Sequence, residues 1–146
     1  MSRQPNTETR VAMLLGMIAQ LQLARGAKLL APLSLNRSKL AVLQYLAEND
    51  GATITEMSTQ LEINQPGITK IVQQFLTDGL LDTSAADADK RVKQLSITKK
   101  GLNRFNQTLT ALQPEIATPY KDWSKQELQT FSQSLEKLYQ WLDEHR

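Results

Sequence analysis

A mainly α fold with a single β-hairpin near its middle is what this sequence predicts. Three observations predict it. Helix-start signals recur down the chain, each followed by an apolar line at 3–4-residue spacing. Only Leu80–Thr83 and Val92–Ile97 read as strands, with Ser84–Arg91 as the tip between them. Two short helices with a tight break lie directly before that hairpin, which makes residues 36–101 a winged helix-turn-helix.

The elements follow in order. Asn6 or Thr7 caps a first helix running to about Lys28, with Val11, Leu14, Leu15, Ile18, Leu21 and Leu23 or Ala24 on its apolar line. Pro32 marks the connection. Asn36 caps a second helix, with Leu35 and Leu40 as a hydrophobic staple and Asp50-Gly51 as its stop. Its apolar residues are Leu40, Leu43, Leu46 and Ala47. Thr53-Ile54-Thr55-Glu56 is a capping box for a short third helix that reaches Leu61 or Glu62. Asn64 caps the fourth, Pro66 sits harmlessly in its first turn, and Gly79 stops it after Asp78. Thr98 caps a fifth helix with the line Leu102, Phe105, Leu109, Leu112 and Ile116. A kink or break is expected at Pro114, and Pro119 ends it. Ser124-Lys125-Gln126-Glu127 is a second capping box, opening a last helix with Leu128, Phe131, Leu135, Leu138, Tyr139, Trp141 and Leu142.

The fold class is therefore mainly α, a winged helix-turn-helix core with long flanking N- and C-terminal helices. The flanks, residues 1–35 and 102–146, carry more apolar face than one small domain uses. They read as dimerisation helices, which makes a homodimer the simplest expectation.

Composition bounds the function. The net charge is only +2, so no strong basic field announces a nucleic-acid partner. Residues 1–50 hold six Lys/Arg against three Asp/Glu, residues 51–110 seven against six, and residues 111–146 four against six. An acidic end held away from DNA is compatible with a DNA binder, and with many other proteins. With no cysteine and His145 as the only histidine, thiol chemistry and a Cys/His metal site are excluded, and no cofactor is implied. No phosphate-cradling glycine loop and no nucleophile–base pair is present, so an enzyme is not expected. The N-terminus lacks a signal-peptide pattern, and no run approaches the ~20 apolar residues of a membrane span. The expected location is the cytoplasm, without membrane association.

The candidate DNA contacts fall in two places. Gln65, Thr69, Lys70 and Gln73 share the polar face of the fourth helix, opposite Ile68, Val72, Phe75 and Leu76. Gln can pair with adenine, Lys with guanine or phosphate, and a threonine methyl with thymine. Asn64, Pro66 and Gly67 complete that helix start, where small residues let the N-terminus approach a phosphate. A solvated amphipathic surface helix would show the same pattern. The hairpin tip adds Asp89, Lys90, Arg91 and Lys93. Arg91 suits a narrow minor groove, Asp89 would orient it, and the lysines would meet phosphates. An ordinary surface Asp–Arg pair is the plain alternative.

These residues resemble the MarR (multiple antibiotic resistance regulator) family of winged-helix transcriptional regulators. The matches are Leu30-Ala31-Pro32-Leu33-Ser34-Leu35-Asn36, Thr53-x-x-Glu56-Met57-Ser58-x-x-Leu61-x-Ile63, Ile68-Thr69-Lys70, Asp78-Gly79-Leu80-Leu81, Asp89-x-Arg91 and Leu95-Ser96-Ile97-Thr98-x-x-Gly101. The resemblance implies a homodimeric regulator, a repressor in the first instance, on a pseudo-palindromic double-stranded operator. It also implies a small lipophilic or phenolic effector, for which Met17, Leu21, Arg25, Tyr45 and Leu46 are candidate lining and Arg25 the anion partner. Plain core packing explains the same stripe. Asp82, Thr83 and Ser84 stand where family wings carry basic residues, and Asp87 and Asp89 make the tip less positive. Modest non-specific affinity follows, with reliance on two half-sites. Pro66-Gly67 replaces a small polar pair, so no base preference is carried over. A winged-helix protein–protein adaptor is the alternative function.

Overall fold

The computed structural model describes residues 4–86 and 89–146, with side chains at all of these except 85, 86 and 89–91. Six helices and one hairpin follow in the order α1 (Thr7–Leu30), α2 (Arg37–Glu48), α3 (Ile54–Leu61), α4 (Gln65–Thr77), β1 (Leu81–Ala86), β2 (Asp89–Ile97), α5 (Lys99–Ala117) and α6 (Lys125–Glu144). Short 3-10 turns follow α1 (Ala31–Leu33) and α5 (Thr118–Tyr120). The chain divides into two compact units, residues 1–109 and 110–146.

The predicted caps form. Asn6 accepts from Thr9 N at 2.9 Å, Asn36 from Lys39 N at 2.8 Å and Asn64 from Gly67 N at 2.8 Å. Each satisfies an amide that the helix itself leaves without an acceptor. Both capping boxes close: Glu56 Oε2 accepts from Thr53 N at 3.0 Å and Glu127 Oε2 from Ser124 N at 2.8 Å. The second box holds the Glu127 carboxyl below its ordinary value, first through the Ser124 backbone amide and then through the Ser124 hydroxyl.

The core of the first unit lies among α2, α3, α4 and the hairpin. Val42, Leu43 and Leu46 of α2, Met57 of α3, Ile68, Ile71, Val72 and Phe75 of α4, and Leu81 and Leu95 of the strands are all buried. Val42 and Ile71 were not on the expected apolar lines. Both sit at the flank of a stripe that is wider than the minimal 3–4 spacing. In the second unit, Trp123 stacks edge-on against Tyr120 and tilted against Phe131, each at 5.4 Å between ring centroids. That cluster fixes how the chain enters α6.

Three local expectations are corrected and one unexpected pairing is added. First, α1 runs two residues further than Lys28, to Leu30, whose side chain is buried. Second, α5 continues through Pro114 to Ala117 instead of breaking there. Proline removes one N–H and does not forbid the helical φ, so the helix loses a single backbone hydrogen bond there. Third, the hairpin is longer than expected, because Ser84, Ala85 and Ala86 pair with Gln94, Lys93 and Asp89. The register jumps between Ala85 and Ala86, leaving residues 90–92 as a bulge in β2. Fourth, Ala52 bridges Leu95, through Gly51 N to Leu95 O at 3.0 Å and Leu95 N to Ala52 O at 2.8 Å. Neither bulge nor bridge has a local sequence signal. The bridge is a non-local pairing that uses the free edge of β2.

Candidate nucleic-acid interface

The turn between α3 and α4 sets the site. Glu62 adopts a left-handed conformation, φ 53°, which ends α3 and reverses the chain in three residues. The Ser58 hydroxyl donates to the Ile63 carbonyl at 2.6 Å and pins that reversal to α3. Asn64 then opens α4.

α4 is two-faced, as its spacing predicts. Ile68, Ile71, Val72 and Phe75 are buried, whereas Gln65, Pro66, Lys70, Gln73 and Gln74 are exposed and Thr69 is half-buried. Gln65 Nε2 donates to the Thr55 hydroxyl at 3.5 Å, a long bond between the first turns of α4 and α3. The Asn64 side-chain oxygen is spent on the cap, which leaves its amide for any external contact. A Cβ at Gly67 would lie 2.9 Å from Asn64 Oδ1 and 3.2 Å from Ile63 Cγ2. The missing side chain thus serves the cap and the turn. This is a different task from the external approach expected for Pro66 and Gly67 together. Pro66 remains in the first turn, exposed.

The hairpin places Lys93 on β2 with its side chain exposed. Asp89, Lys90 and Arg91 lie on the β2 backbone at the hairpin end, but their side chains are outside the described ones, as Asp87 is altogether. The roles read from sequence for those four residues remain expectations. Among the candidate effector residues, Met17 and Leu21 are exposed on α1, Arg25 and Tyr45 are half-buried, and Leu46 is fully buried in the core.

A junction that the sequence reading passed over ties α4 to α5. Gly79, with φ 73°, closes the C-terminus of α4 by donating to Leu76 O at 3.1 Å while Leu80 N donates to Phe75 O at 2.9 Å. The Thr98 hydroxyl donates to Gly79 O at 2.7 Å and accepts from Gly101 N at 3.0 Å, and Thr98 N donates to Leu80 O at 3.0 Å. Lys100 Nζ donates to Asp78 O at 2.8 Å, and the Arg104 guanidinium donates to Leu33 O. A signal exists in the sequence: Thr98-x-x-Gly101 is a motif, and Lys100 and Arg104 are spaced i, i+4 on one face.

Comparison with known proteins agrees with this arrangement. The family model described as MarR family matches residues 33–92. The HTH-type transcriptional repressor IacR of Pseudomonas putida is 30% identical over 116 residues, which are 80% of this chain and 70% of that protein. The chain belongs to the MarR family. It is thus a MarR-family transcriptional regulator, and its six helices and two-stranded wing are the fold of that family. A MarR family protein from Bacillus stearothermophilus superposes with a TM-score of 0.80 at 22% identity, over 97% of this chain and 99% of that one. A mutant of MarR from E. coli, solved in complex with operator DNA, superposes with a TM-score of 0.72 at 20% identity, over 94% of this chain and 99% of that one. No helix among the described residues is long and apolar enough to cross a membrane.

Proposed function

We propose that this MarR-family regulator is a cytoplasmic homodimeric repressor that binds a pseudo-palindromic double-stranded operator. The observation that carries the reading is the polar face of α4. Gln65, Thr69, Lys70 and Gln73 form a groove-reading set on a helix whose opposite face is locked into the core. A MarR relative of the same fold is solved with operator DNA. α4 enters the major groove, and the wing end with Arg91 reaches the neighbouring minor groove. Lys90 and Lys93 meet phosphates, and Asp89 orients Arg91.

The dimer is supported by apolar surface that the single chain leaves open. Val11, Leu14, Met17, Ile18 and Leu21 of α1, and Leu128, Leu135, Tyr139 and Trp141 of α6, are all exposed. Exposed apolar area on this scale marks an interface. Two copies would set their α4 helices about 10 bp apart. A small lipophilic or phenolic ligand bound at the Met17, Leu21, Arg25, Tyr45 and Leu46 region would release the protein from its operator.

The experiment is selection of bound sequences from random duplex DNA, followed by a salt titration on the winner. Enrichment of a palindrome whose half-sites are about 10 bp apart is expected. Failure to enrich any palindrome would sink the repressor reading. Arg91→Ala should cost about 1–3 kcal/mol of operator affinity. An adaptor without DNA binding would leave its protein partner's affinity unchanged by that substitution.

A further inference from the structure

Two polar side chains meet where the start of α3 lies beside the start of α4. Gln65 Nε2 donates to the Thr55 hydroxyl at 3.5 Å, from ten positions further along the chain. Both residues are exposed, in the first turns of their helices. What holds their helices is rigid. Met57 on α3 and Ile68 on α4 are fully buried, and the Ser58 hydroxyl pins the turn between the two helices. The core therefore fixes the separation of Thr55 and Gln65, independently of their side chains.

The donors and acceptors of this pair are only partly used. A hydroxyl has one proton and two lone pairs, and a Gln amide has two protons and a carbonyl oxygen. The Thr55 oxygen accepts one Gln65 proton. Among the described residues, the Thr55 hydroxyl proton, the second Gln65 amide proton and Gln65 Oε1 have no partner. Gln65 thus presents a donor beside an acceptor, which match the N7 acceptor and N6 donor of adenine in the major groove. Thr55 presents a donor, which matches a phosphate oxygen. The helix that precedes a recognition helix crosses the DNA backbone, where such oxygens lie.

The two contacts are not independent. Without DNA, the bond can run the other way, with the Thr55 proton donated to Gln65 Oε1 and the amide reversed. A DNA phosphate only accepts. Once it takes the Thr55 proton, the Thr55 oxygen is left to Nε2 and the amide has one orientation.

We propose that Thr55 is a positioning residue that couples a phosphate contact to base reading by Gln65. Its hydroxyl donates to a backbone phosphate and accepts from Gln65, which fixes Gln65 to read adenine at one position of each half-site. The inference rests on the DNA-binding reading above and adds which residue sets a base preference. A Thr55 that only touched phosphate would carry no sequence information.

The test uses the operator selected from random duplex DNA, scanned with all four bases at each half-site position. Gln65→Ala should level the bases at one position, where the unaltered protein prefers adenine by about tenfold or more. Thr55→Val keeps the shape and removes the hydroxyl. It should cut that preference to about twofold and leave the preferences at other positions unchanged. Thr55→Ala, a better helix former, should act like Thr55→Val, and Thr55→Ser should restore the preference. The double variant Thr55→Val/Gln65→Ala should show the base profile of Gln65→Ala alone, because the two side chains act as a unit. The slope with salt should be the same in Thr55→Val, since a neutral hydroxyl displaces no counterion. A second measurement needs no DNA: nitrogen relaxation of the side-chain amides in the free protein. Gln65 Nε2 should be more ordered in the unaltered protein and in Thr55→Ser than in Thr55→Val.

A Thr55→Val protein that binds every sequence equally more weakly shows a phosphate contact alone and overturns the coupling. A preference for another base at the Gln65 position overturns the assigned amide orientation. Equal mobility of Gln65 with and without the Thr55 hydroxyl overturns the positioning, whether or not the protein binds DNA. An enriched palindrome whose base profile is unchanged in Thr55→Val overturns this inference and leaves the DNA-binding reading standing. Enrichment of no sequence by the unaltered protein overturns that reading, and base reading by Gln65 with it.

Discussion

Gly101→Ala tests the α5–β1 junction most sharply. A Cβ at Gly101 would lie 2.8 Å from Ile97 Cγ1, 3.1 Å from the Leu80 carbonyl carbon, and closer still to the Leu80 carbonyl oxygen. Ordinary contact begins near 3.4 Å. The obstruction is backbone, which cannot swing aside as a side chain does. α5 must therefore move away from Leu80, and that movement stretches the 3.0 Å bond from Thr98 N to Leu80 O. Overpacking of this kind costs about 3 kcal/mol, at the upper end of its usual range. Helix propensity returns at most about 1 kcal/mol. The net loss is about 2 kcal/mol, which lowers Tm by roughly 4–8 °C in a chain of this size. Thermal unfolding followed by circular dichroism reads it directly. A Tm equal to that of the unaltered protein, or higher, would refute the close approach of α5 to β1.

Further outcomes follow from neighbouring features. Thr98→Val should lose about 1–3 kcal/mol, because it leaves Gly79 O and Gly101 N without their common partner, while Thr98→Ser should retain most of the stability in urea denaturation. Gly16→Ala meets nothing within 4 Å in the single chain and should by itself strengthen α1 by about 1 kcal/mol; sedimentation should instead show a weakened dimer if a second copy approaches there. The lowered Glu127 carboxyl makes the first turn of α6 pH-dependent. A depressed folded-state pKa gives stability that is present above the unfolded value, 4.5, and is lost as pH falls through the folded one. Amide exchange at residues 125–127 should rise over that window relative to its intrinsic rate, and Glu127→Gln should flatten the response.

What the sequence made legible was local. Asn36, Thr53 and Asn64 announce helix starts through chemistry confined to four residues, and each forms its cap. The buried face of α4 follows from spacing alone. The motif Thr53-x-x-Glu56-Met57-Ser58 resolves into a cap, a core residue and the hydroxyl that pins the turn. The bridge from Ala52 to Leu95, the Thr98–Gly79 bond and the Arg104–Leu33 bond could not be read this way, since their partners are 43, 19 and 71 positions apart. Gly67 was legible as small but not for what it spares, because the atoms that fill its missing side-chain space belong to the cap it donates to.

The thin charge of α4 has a measurable consequence. Lys70 is the only cation on that helix, and the wing adds Lys90, Arg91 and Lys93, so each chain brings four candidate cations to the duplex. Counterion release gives a slope of log K against log salt near −0.9 per neutralised phosphate. Four contacts bound a single lobe at about −4, and eight bound a dimer at about −7. A measured slope between these limits on the selected palindrome requires both half-sites to be engaged at once. A slope no steeper than about −4 on a palindrome would refute the pairing of all eight candidate cations with phosphate. A slope steeper than about −7 would bring in cations outside the four, and Arg37 and Lys39 at the start of α2 are then the first to substitute.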